Sequence, residues 1–334
     1  MARLPARAKR ALAGPPARVD GQELDLDVQL LLRIAALAPP PEKGSVEDVR
    51  RRSRRSAAVL AGAPMPVDRV ESLAVSGPDG ELGARLYSPP SGRATLPLLV
   101  YLHGGGWAGG DLDTHDAPCR FLATHAGTRV LAVNYRRAPE HRFPAAVDDA
   151  LAALRWVAGH AAELGADPAR IAVGGDSAGG NLAAVASRLA RDRGDPFPAL
   201  QLLLYPVTDL SYKRPSYRLF GEGFFLDEAD MDWYRERYLP DPAAAGDPRA
   251  SPLIAEDLAG LPPAYVVTAG FDPLRDEGEA YVAALLAAGV RAALRRHPGL
   301  IHGFAAYAAV VPAARAAMLE AAGALRMGLA PARP

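Results

Sequence analysis

Residues 170–194 place a serine between an apolar run and a stretch of small residues suited to a helix. The run "RIAVGG" is followed by Asp176, Ser177 and then "AGGNLAAVASRLARDRG". Near-continuous hydrophobicity predicts a strand buried on both faces of a parallel sheet. The following segment predicts a helix that ends near Gly194. The fold must therefore provide a tight strand-to-helix turn at Ser177.

The rest of the chain supplies further apolar runs bounded by Gly or Pro. The predicted strands are 69–77 and 81–89, which form an antiparallel pair at the sheet edge, then 97–104, 129–135, 170–175, 199–207, 264–272 and about 291–298. Apolar residues recur at helical spacing between 135 and 170, which indicates a βαβ unit. These patterns predict an α/β fold with one mostly parallel sheet of about eight strands and helices on both faces.

Two segments do not fit the sheet. Residues 1–65 are predicted to form N-terminal cap helices, and residues 209–250 form an insertion too long for an ordinary connection. The expected core is then 66–208 with 251–334. The insertion is rich in aromatic residues, which either line a pocket or pack the cap; they are Phe224, Phe225, Trp233, Tyr234 and Tyr238.

Composition narrows the range of partners. The 38 basic and 38 acidic residues cancel, which argues against a nucleic-acid or anionic-membrane binder and favours a small-molecule partner. The basic run at 49–56 is interpreted as a solvated face of a cap helix. Cys119 is the only cysteine, so no intrachain disulfide or cysteine zinc cage is expected. No signal peptide or membrane span is predicted. We expect a soluble cytoplasmic protein with no metal or cofactor.

The turn matches the sequence pattern G-x-S-x-G. A serine hydroxyl becomes an effective nucleophile only when a base removes its proton, and a strained elbow lifts Ser177 clear of the sheet toward such a base. Gly175 and Gly179 leave room for that turn. Asp176 diverges from its neighbour on the elbow, so we expect it to cap the helix or brace the turn rather than to orient the base.

The glycines of "HGGGW" at 103–107 are candidates for binding a developing oxyanion. Gly105 and Gly106 are the expected backbone N–H donors together with Ala178, while Gly104 shapes this part of the oxyanion hole. His103 is expected to brace the loop. The alternative, a phosphate-binding loop, lacks the expected Lys-Ser/Thr ending and glycine spacing.

The base and its acid are expected to follow the serine in the order serine, acid, histidine. His297 and His302 are the histidines after residue 177, and His302 lies in a loop after the last strand. His297 is interpreted as structural. Asp272 ends a strand before a proline and is the favoured acid, with Asp276 as the alternative. The other histidines are interpreted as surface or packing residues, and "HDAPC" offers only a weak metal spacing; they are His115, His125, His141 and His160.

Over residues 67–327 the chain resembles the bacterial hormone-sensitive-lipase family, or family IV carboxylesterases, of the α/β-hydrolases. The matching motifs are "HGGGW", "YRRAPEHRFPAAVDD", "GDSAGGN", "DPLRDEG" and "HGF", in that order. The resemblance implies an eight-stranded sheet under a helical cap and hydrolysis of short- to medium-chain acyl esters without a cofactor. It also implies a triad of Ser177, Asp272 and His302.

Two alternatives to an esterase remain. An amidase uses the same triad, and a plant hormone receptor on a related fold lacks the histidine that this chain has at His302. Family members often pair through the edge of the last strand, and "RAALRRH" at 291–297 would permit a homodimer of this kind but does not require one.

Overall fold

The computed structural model describes residues 4–37 and 44–331. The predicted segments 1–65 and 251–334 therefore lie partly outside the described residues. The parts outside are both chain ends and residues 38–43 of the tract "APPPEKG". Numbered along the chain, the strands are β1 (Arg18–Val19), β2 (Gln22–Glu23), β3 (Arg69–Gly77), β4 (Gly80–Ser88), β5 (Leu96–Leu102), β6 (Arg129–Val133), β7 (Ala166–Asp176), β8 (Leu200–Leu204), β9 (Ala264–Phe271) and β10 (Ala292–Ile301).

The helices of the described residues follow the same chain order. They are α1 (Ala6–Ala13), α2 (Leu26–Ala35), α3 (Val46–Leu60), α4 (Asp116–Ala126), α5 (Ala145–Gly159), α6 (Ala178–Arg193), α7 (Pro215–Phe220), α8 (Glu228–Tyr238), α9 (Arg275–Ala287) and α10 (Pro312–Gly328).

Eight of these strands form one sheet in the order β10-β9-β8-β7-β5-β6-β4-β3. Neighbouring strands from β10 to β6 are parallel, whereas β4 runs antiparallel to both β6 and β3. The predicted α/β architecture is therefore confirmed, including its antiparallel edge pair.

Both faces of the sheet are covered, as the continuous apolar runs require. Alternate residues of β5 point to opposite faces. Leu98 and Val100 join a core with α5, α6 and α9, and Leu99 and Tyr101 join a second core with α4 and α10.

The N-terminal segment contains a hairpin as well as helices, which the prediction of helices alone missed. β1 and β2 pair antiparallel through Asp20 and Gly21, whose φ angles are 54° and 72°. Two consecutive positive φ angles suit an Asp-Gly turn of type I′. Asp20 Oδ2 accepts a 2.8 Å hydrogen bond from Arg275 Nη1, which ties the hairpin to the start of α9.

Two strand ends also differ from the prediction. β8 stops at Leu204 because Tyr205 has a φ of 36° and Pro206 has no N–H group to donate. β10 continues beyond Pro298 to Ile301 with a register shift, since an edge strand tolerates proline.

The carboxyl ends of the parallel strands lie along one edge of the sheet. The glycine-rich loop follows β5, Ser177 follows β7, Asp272 follows β9 and His302 follows β10. Candidate residues that are far apart in the chain therefore meet at this edge.

Candidate active site

The elbow at Ser177 is strained, as the sequence pattern predicts. Ser177 has φ 55° and ψ −120°, and α6 begins at the next residue. The backbones of the elbow and of β5 approach so closely that a Cβ on Gly175 or Gly179 would collide with the carbonyl oxygen of Leu102. Both glycines are thus required by the packing of one strand against the turn.

The structure brings Ser177, His302 and Asp272 into one hydrogen-bonded line. Ser177 Oγ lies 2.9 Å from His302 Nε2, and His302 Nδ1 lies 2.8 Å from Asp272 Oδ2. Asp272 is fully buried, and its other oxygen accepts a 2.8 Å bond from the N–H of Leu274. A carboxylate at Nδ1 fixes the proton there, which leaves Nε2 free to accept the serine proton.

The alternative acid and base lie outside this line. Asp276 accepts hydrogen bonds from the N–H of Ser216 and from Arg275 Nε, so it braces α7 against α9. His297 lies within β10, where its ring contacts Phe304 at a centroid distance of 6.1 Å. Neither residue bonds to Ser177.

The peptide groups of the glycine-rich loop are held in fixed directions. The carbonyl of Gly104 accepts a 2.9 Å bond from His103 Nδ1, and the carbonyl of Gly105 accepts a 2.7 Å bond from the N–H of Gly109. In a planar trans peptide, the N–H that follows a carbonyl points the opposite way. The N–H groups of Gly105 and Gly106 therefore point away from these partners.

The peptide unit between Ser177 and Ala178 is also held by hydrogen bonds to its carbonyl group. The carbonyl of Ser177 accepts bonds of 3.0 Å from the N–H of Asn181 and 3.2 Å from that of Val207. The N–H of Ala178, at the start of α6, therefore points away from the helix interior. In the described part of the chain this N–H has no acceptor, and the N–H groups of Gly105 and Gly106 also have none.

Gly104 and Asp176 form a brace behind the loop. The N–H of Gly104 donates a 3.0 Å bond to Asp176 Oδ1, so it shapes the loop and is not free to bind a ligand. The same oxygen accepts a 2.7 Å bond from the hydroxyl of Tyr101. Asp176 thus braces the turn, as one of the two predicted roles had it, and does not cap α6.

His103 also braces the loop, as predicted. Its Nδ1 must carry the proton because a carbonyl can only accept. Burial, aided by the nearby His115, lowers the pKa of His103 to about 3, so the ring is neutral. Its face stacks on Tyr135 at a centroid distance of 4.2 Å.

His115 bonds to Asp176 behind the loop, whereas the sequence predicts only a surface or packing residue at this position. Its Nε2 lies 3.2 Å from Asp176 Oδ1, and its side chain is only 15% exposed. On the other side, Nδ1 lies 2.9 Å from the hydroxyl of Thr114, which donates its own proton to the carbonyl of Asp111. Nε2 also lies 3.2 Å from the backbone N–H of Gly104, so this ring nitrogen faces a donor as well as the Asp176 carboxylate.

Burial and charge act in opposite directions on the pKa values of His115 and Asp176. Burial alone would lower the pKa of His115, but the adjacent Asp176 carboxylate outweighs burial and raises it. Burial would likewise raise the pKa of Asp176, but the charge and hydrogen bond of His115, with the bonds from Tyr101 and Gly104, lower it. Each residue therefore favours the charged form of the other behind the glycine-rich loop.

A cavity of about 330 Å³ opens in front of Ser177 and His302. Its walls come from the core and from both segments that were predicted as a cap. The residues that these two segments place on the walls include Leu31 and Leu60 from the N-terminal segment and Met231 from the insertion. The cavity is mostly apolar.

The aromatic residues of the insertion divide between the two roles considered for them. Phe225 and Tyr234 line the cavity, and Phe225 is 59% exposed. Phe224 packs on Phe271, Tyr238 stacks on Trp107, and Trp233 lies beneath Arg237, at distances of 5.1, 4.2 and 3.7 Å.

In residues 4–37 and 44–331, no group of three or more His, Cys, Asp or Glu residues is placed to hold a metal ion. None of the helices in those ranges is long and apolar enough to cross a membrane. Cys119, in the "HDAPC" segment, is buried.

We expect His115→Gln to lower the free energy of unfolding by about 1–3 kcal/mol in mildly acidic solution, since Asp176 loses a charged partner. The raised pKa of His115 makes its contribution complete below the unfolded-state pKa of about 6.5 and lost as the pH rises through the folded-state value. The lowered pKa of Asp176 removes the contribution only in strong acid. Urea unfolding at about pH 5.5 and about pH 8.5 measures the difference.

The matched control is His141→Gln, because His141 is exposed. A penalty for His115→Gln that is equal at both pH values, or larger at the alkaline one, contradicts the ion pair.

Comparison with known proteins agrees with this architecture. The α/β-hydrolase fold family model matches residues 99–306. The chain is 50% identical to the carboxylic ester hydrolase LipN of Mycobacterium tuberculosis, over 90% of this chain and 82% of that protein. It is 40% identical to an ethyl acetate hydrolase of Pseudomonas putida, over 89% and 95% of the two chains.

Among solved structures, a hyperthermophilic esterase from the archaeon Pyrobaculum calidifontis is 42% identical, with a TM-score of 0.85 over 90% of this chain and 98% of that one. Similarity of this extent in sequence and structure identifies the enzyme class as well as the fold. The chain belongs to the hormone-sensitive-lipase family of α/β-hydrolases and is a carboxylic ester hydrolase.

Proposed function

We propose that this carboxylesterase hydrolyses short- to medium-chain acyl esters through an acyl-enzyme intermediate on Ser177. His302 acts as general base and then general acid, and Asp272 holds the imidazole in the required tautomer. The observation that carries the proposal is the unbroken line from Ser177 Oγ to His302 Nε2 and from His302 Nδ1 to Asp272. A receptor would not need this line.

In the first half of the reaction, Ser177 Oγ attacks the ester carbonyl while its proton passes to His302 Nε2. The tetrahedral intermediate collapses when the C–O bond to the alcohol breaks and His302 returns the proton to the leaving oxygen. The buried Asp272 stabilises the imidazolium between these steps. Water then repeats the sequence on the acyl-enzyme and releases the carboxylic acid.

The negative oxygen of each intermediate is bound by the N–H groups of Gly105, Gly106 and Ala178. Support comes from the carbonyl contacts that direct these groups away from the loop and the helix. A preorganised donor of this kind is worth about 2.7–4 kcal/mol of transition-state stabilisation. Gly104 contributes to the oxyanion hole by holding the loop through Asp176, not by donating to the substrate.

α1, α2 and α3 together with residues 209–250 are proposed to act as the cap over this site. The apolar walls that both segments contribute support this role and favour an uncharged acyl group. We further propose a homodimer formed through β10, which lies at the edge of the sheet, and a cytoplasmic location, which the single cysteine supports.

Ser177→Ala should abolish ester turnover and leave the fold intact, because it removes the nucleophile while alanine is small enough for the elbow. Initial rates on p-nitrophenyl butyrate, with circular dichroism and thermal unfolding of both proteins, measure this. A folded variant that keeps more than about one per cent of the wild-type rate contradicts the assignment.

His302→Ala and Asp272→Asn should each reduce kcat, the histidine change more severely, because one removes the base and the other mis-sets its tautomer at a cost of up to about 10⁴. Asp276→Asn is the matched control, since Asp276 bonds to Ser216 and Arg275 instead. If Asp276→Asn lowers kcat more than Asp272→Asn while both variants fold, the acid has been assigned wrongly.

The preference for acyl length should pass through a maximum. Each buried methylene contributes about 0.8 kcal/mol until the chain meets the cavity wall, after which the chain or the cap must strain. We expect kcat/KM to peak between about four and eight carbons and to show no jump above the solubility limit of the ester. Kinetics on C2 to C16 p-nitrophenyl esters test this; values that still rise at C16 contradict a closed pocket.

A further inference from the structure

Arg50 is the exception in the basic run of α3 that the sequence predicts to be solvated. Its side chain is 11% exposed, whereas those of Arg51 and Arg54 are 57% and 55% exposed. An arginine is kept from water in this way only when its donors find acceptors. Arg50 turns from the cap toward the core of the enzyme and is more buried than Arg54, whose Nε bonds to Asp111 in the segment after β5.

The guanidinium of Arg50 joins three parts of the chain. Its Nε donates a 2.8 Å bond to the carbonyl of Ala108, and Nη2 donates a 3.1 Å bond to the carbonyl of Ala138. Both Nη atoms also pair with Glu140 in a two-pronged contact of 2.7 and 2.8 Å. The hydrogen bond from Arg50 lowers the pKa of Glu140 to about 2. The planar fork of arginine suits this set of acceptors.

Ala108 belongs to the turn that directs an oxyanion donor. The carbonyl of Gly105 accepts bonds from the N–H groups of Ala108 and Gly109, and this contact turns the N–H of Gly106 outward. Arg50 binds the other side of Ala108, because its Nε donates to the carbonyl oxygen of that residue. The turn is thereby fixed between its own hydrogen bonds and the cap helix.

The second backbone contact of Arg50 connects it to Trp107 through Ala138. The N–H of Ala138 donates a 2.9 Å bond to the carbonyl of Trp107, while its carbonyl accepts from Arg50. Arg50 thus reaches the loop twice, once directly and once through Ala138. Val49 of α3 also lies near the loop, since its Cγ1 is 3.7 Å from the position that a Cβ on Gly109 would take.

We propose that Arg50 is a positioning residue for catalysis: from the cap helix it holds the 105–109 turn so that the N–H of Gly106 stays aligned for the oxyanion. This rests on the oxyanion hole of the proposed function. Arg50 is not among the residues that line the cavity, so it acts through the loop and not on the substrate. Because Arg50 belongs to α3, the alignment of the Gly106 N–H also depends on how α3 packs against the core.

The test compares Arg50→Met with Arg51→Met. Arg51 is the matched control because it pairs with Asp48 on its own helix. Active sites are first counted with a phosphonate, and kcat and KM for p-nitrophenyl butyrate are then measured per active site. The inhibition constant of an alkyl trifluoromethyl ketone is measured in parallel, because its adduct with a serine carries an oxyanion.

We expect Arg50→Met to lower kcat per active site by about 10- to 100-fold with little change in KM, and to raise the inhibition constant of the ketone by a similar factor. Arg51→Met should match the wild type. A purely structural role would lower the melting temperature or the number of titrated sites but leave both per-site constants unchanged, and that result overturns the proposal.

If Arg50→Met does not fold, Glu140→Gln decides the question. Glu140 is half exposed and lies outside the cavity, so its replacement loosens Arg50 without removing the bonds to the backbone carbonyls. A smaller shift of both constants in the same direction supports the proposal, and unchanged constants overturn it. A wild-type enzyme with no esterase turnover would instead defeat the proposed function, and this inference with it.

Discussion

The N–H groups at the mouth of the cavity point outward because the carbonyl in each of their peptide units is held on the opposite side. His103 holds the carbonyl of Gly104, the Gly109 N–H holds that of Gly105, and the first turn of α6 holds that of Ser177. A planar peptide converts each of these contacts into a direction for the next N–H. The donors are therefore aligned before any substrate arrives, which is what makes electrostatic stabilisation effective.

Behind these peptides lies a polar layer that keeps the loop and the elbow in register. Asp176 binds the N–H of Gly104 on one side and His115 on the other, and it belongs to the same turn as Ser177. Ser177, the proposed nucleophile, and the proposed oxyanion loop thus share one buried anchor. Removing one member of a buried pair leaves the other charge uncompensated, so the anchor is costly to disturb.

The sequence predicts most of the sheet and the elbow because their signals are local. Buried strands appear as continuous apolar runs and the elbow as its glycines, whereas the proposed triad is inferred from the order of its residues along the chain. His115 and Arg50 leave no such signal, since one resembles any surface histidine and the other lies in a run of similar arginines. Their roles arise from contacts with Asp176 and Ala108, which are distant in sequence.

The most direct measurement is a crystal structure of the enzyme after reaction with a p-nitrophenyl alkylphosphonate, whose tetrahedral adduct imitates the intermediate. The account predicts phosphorus bonded to Ser177 Oγ and one phosphoryl oxygen within about 2.7–3.1 Å of the N–H groups of Gly105, Gly106 and Ala178. The N–H of Gly104 should remain on Asp176. A phosphoryl oxygen that turns away from the three N–H groups, or an adduct on another residue, would contradict the account.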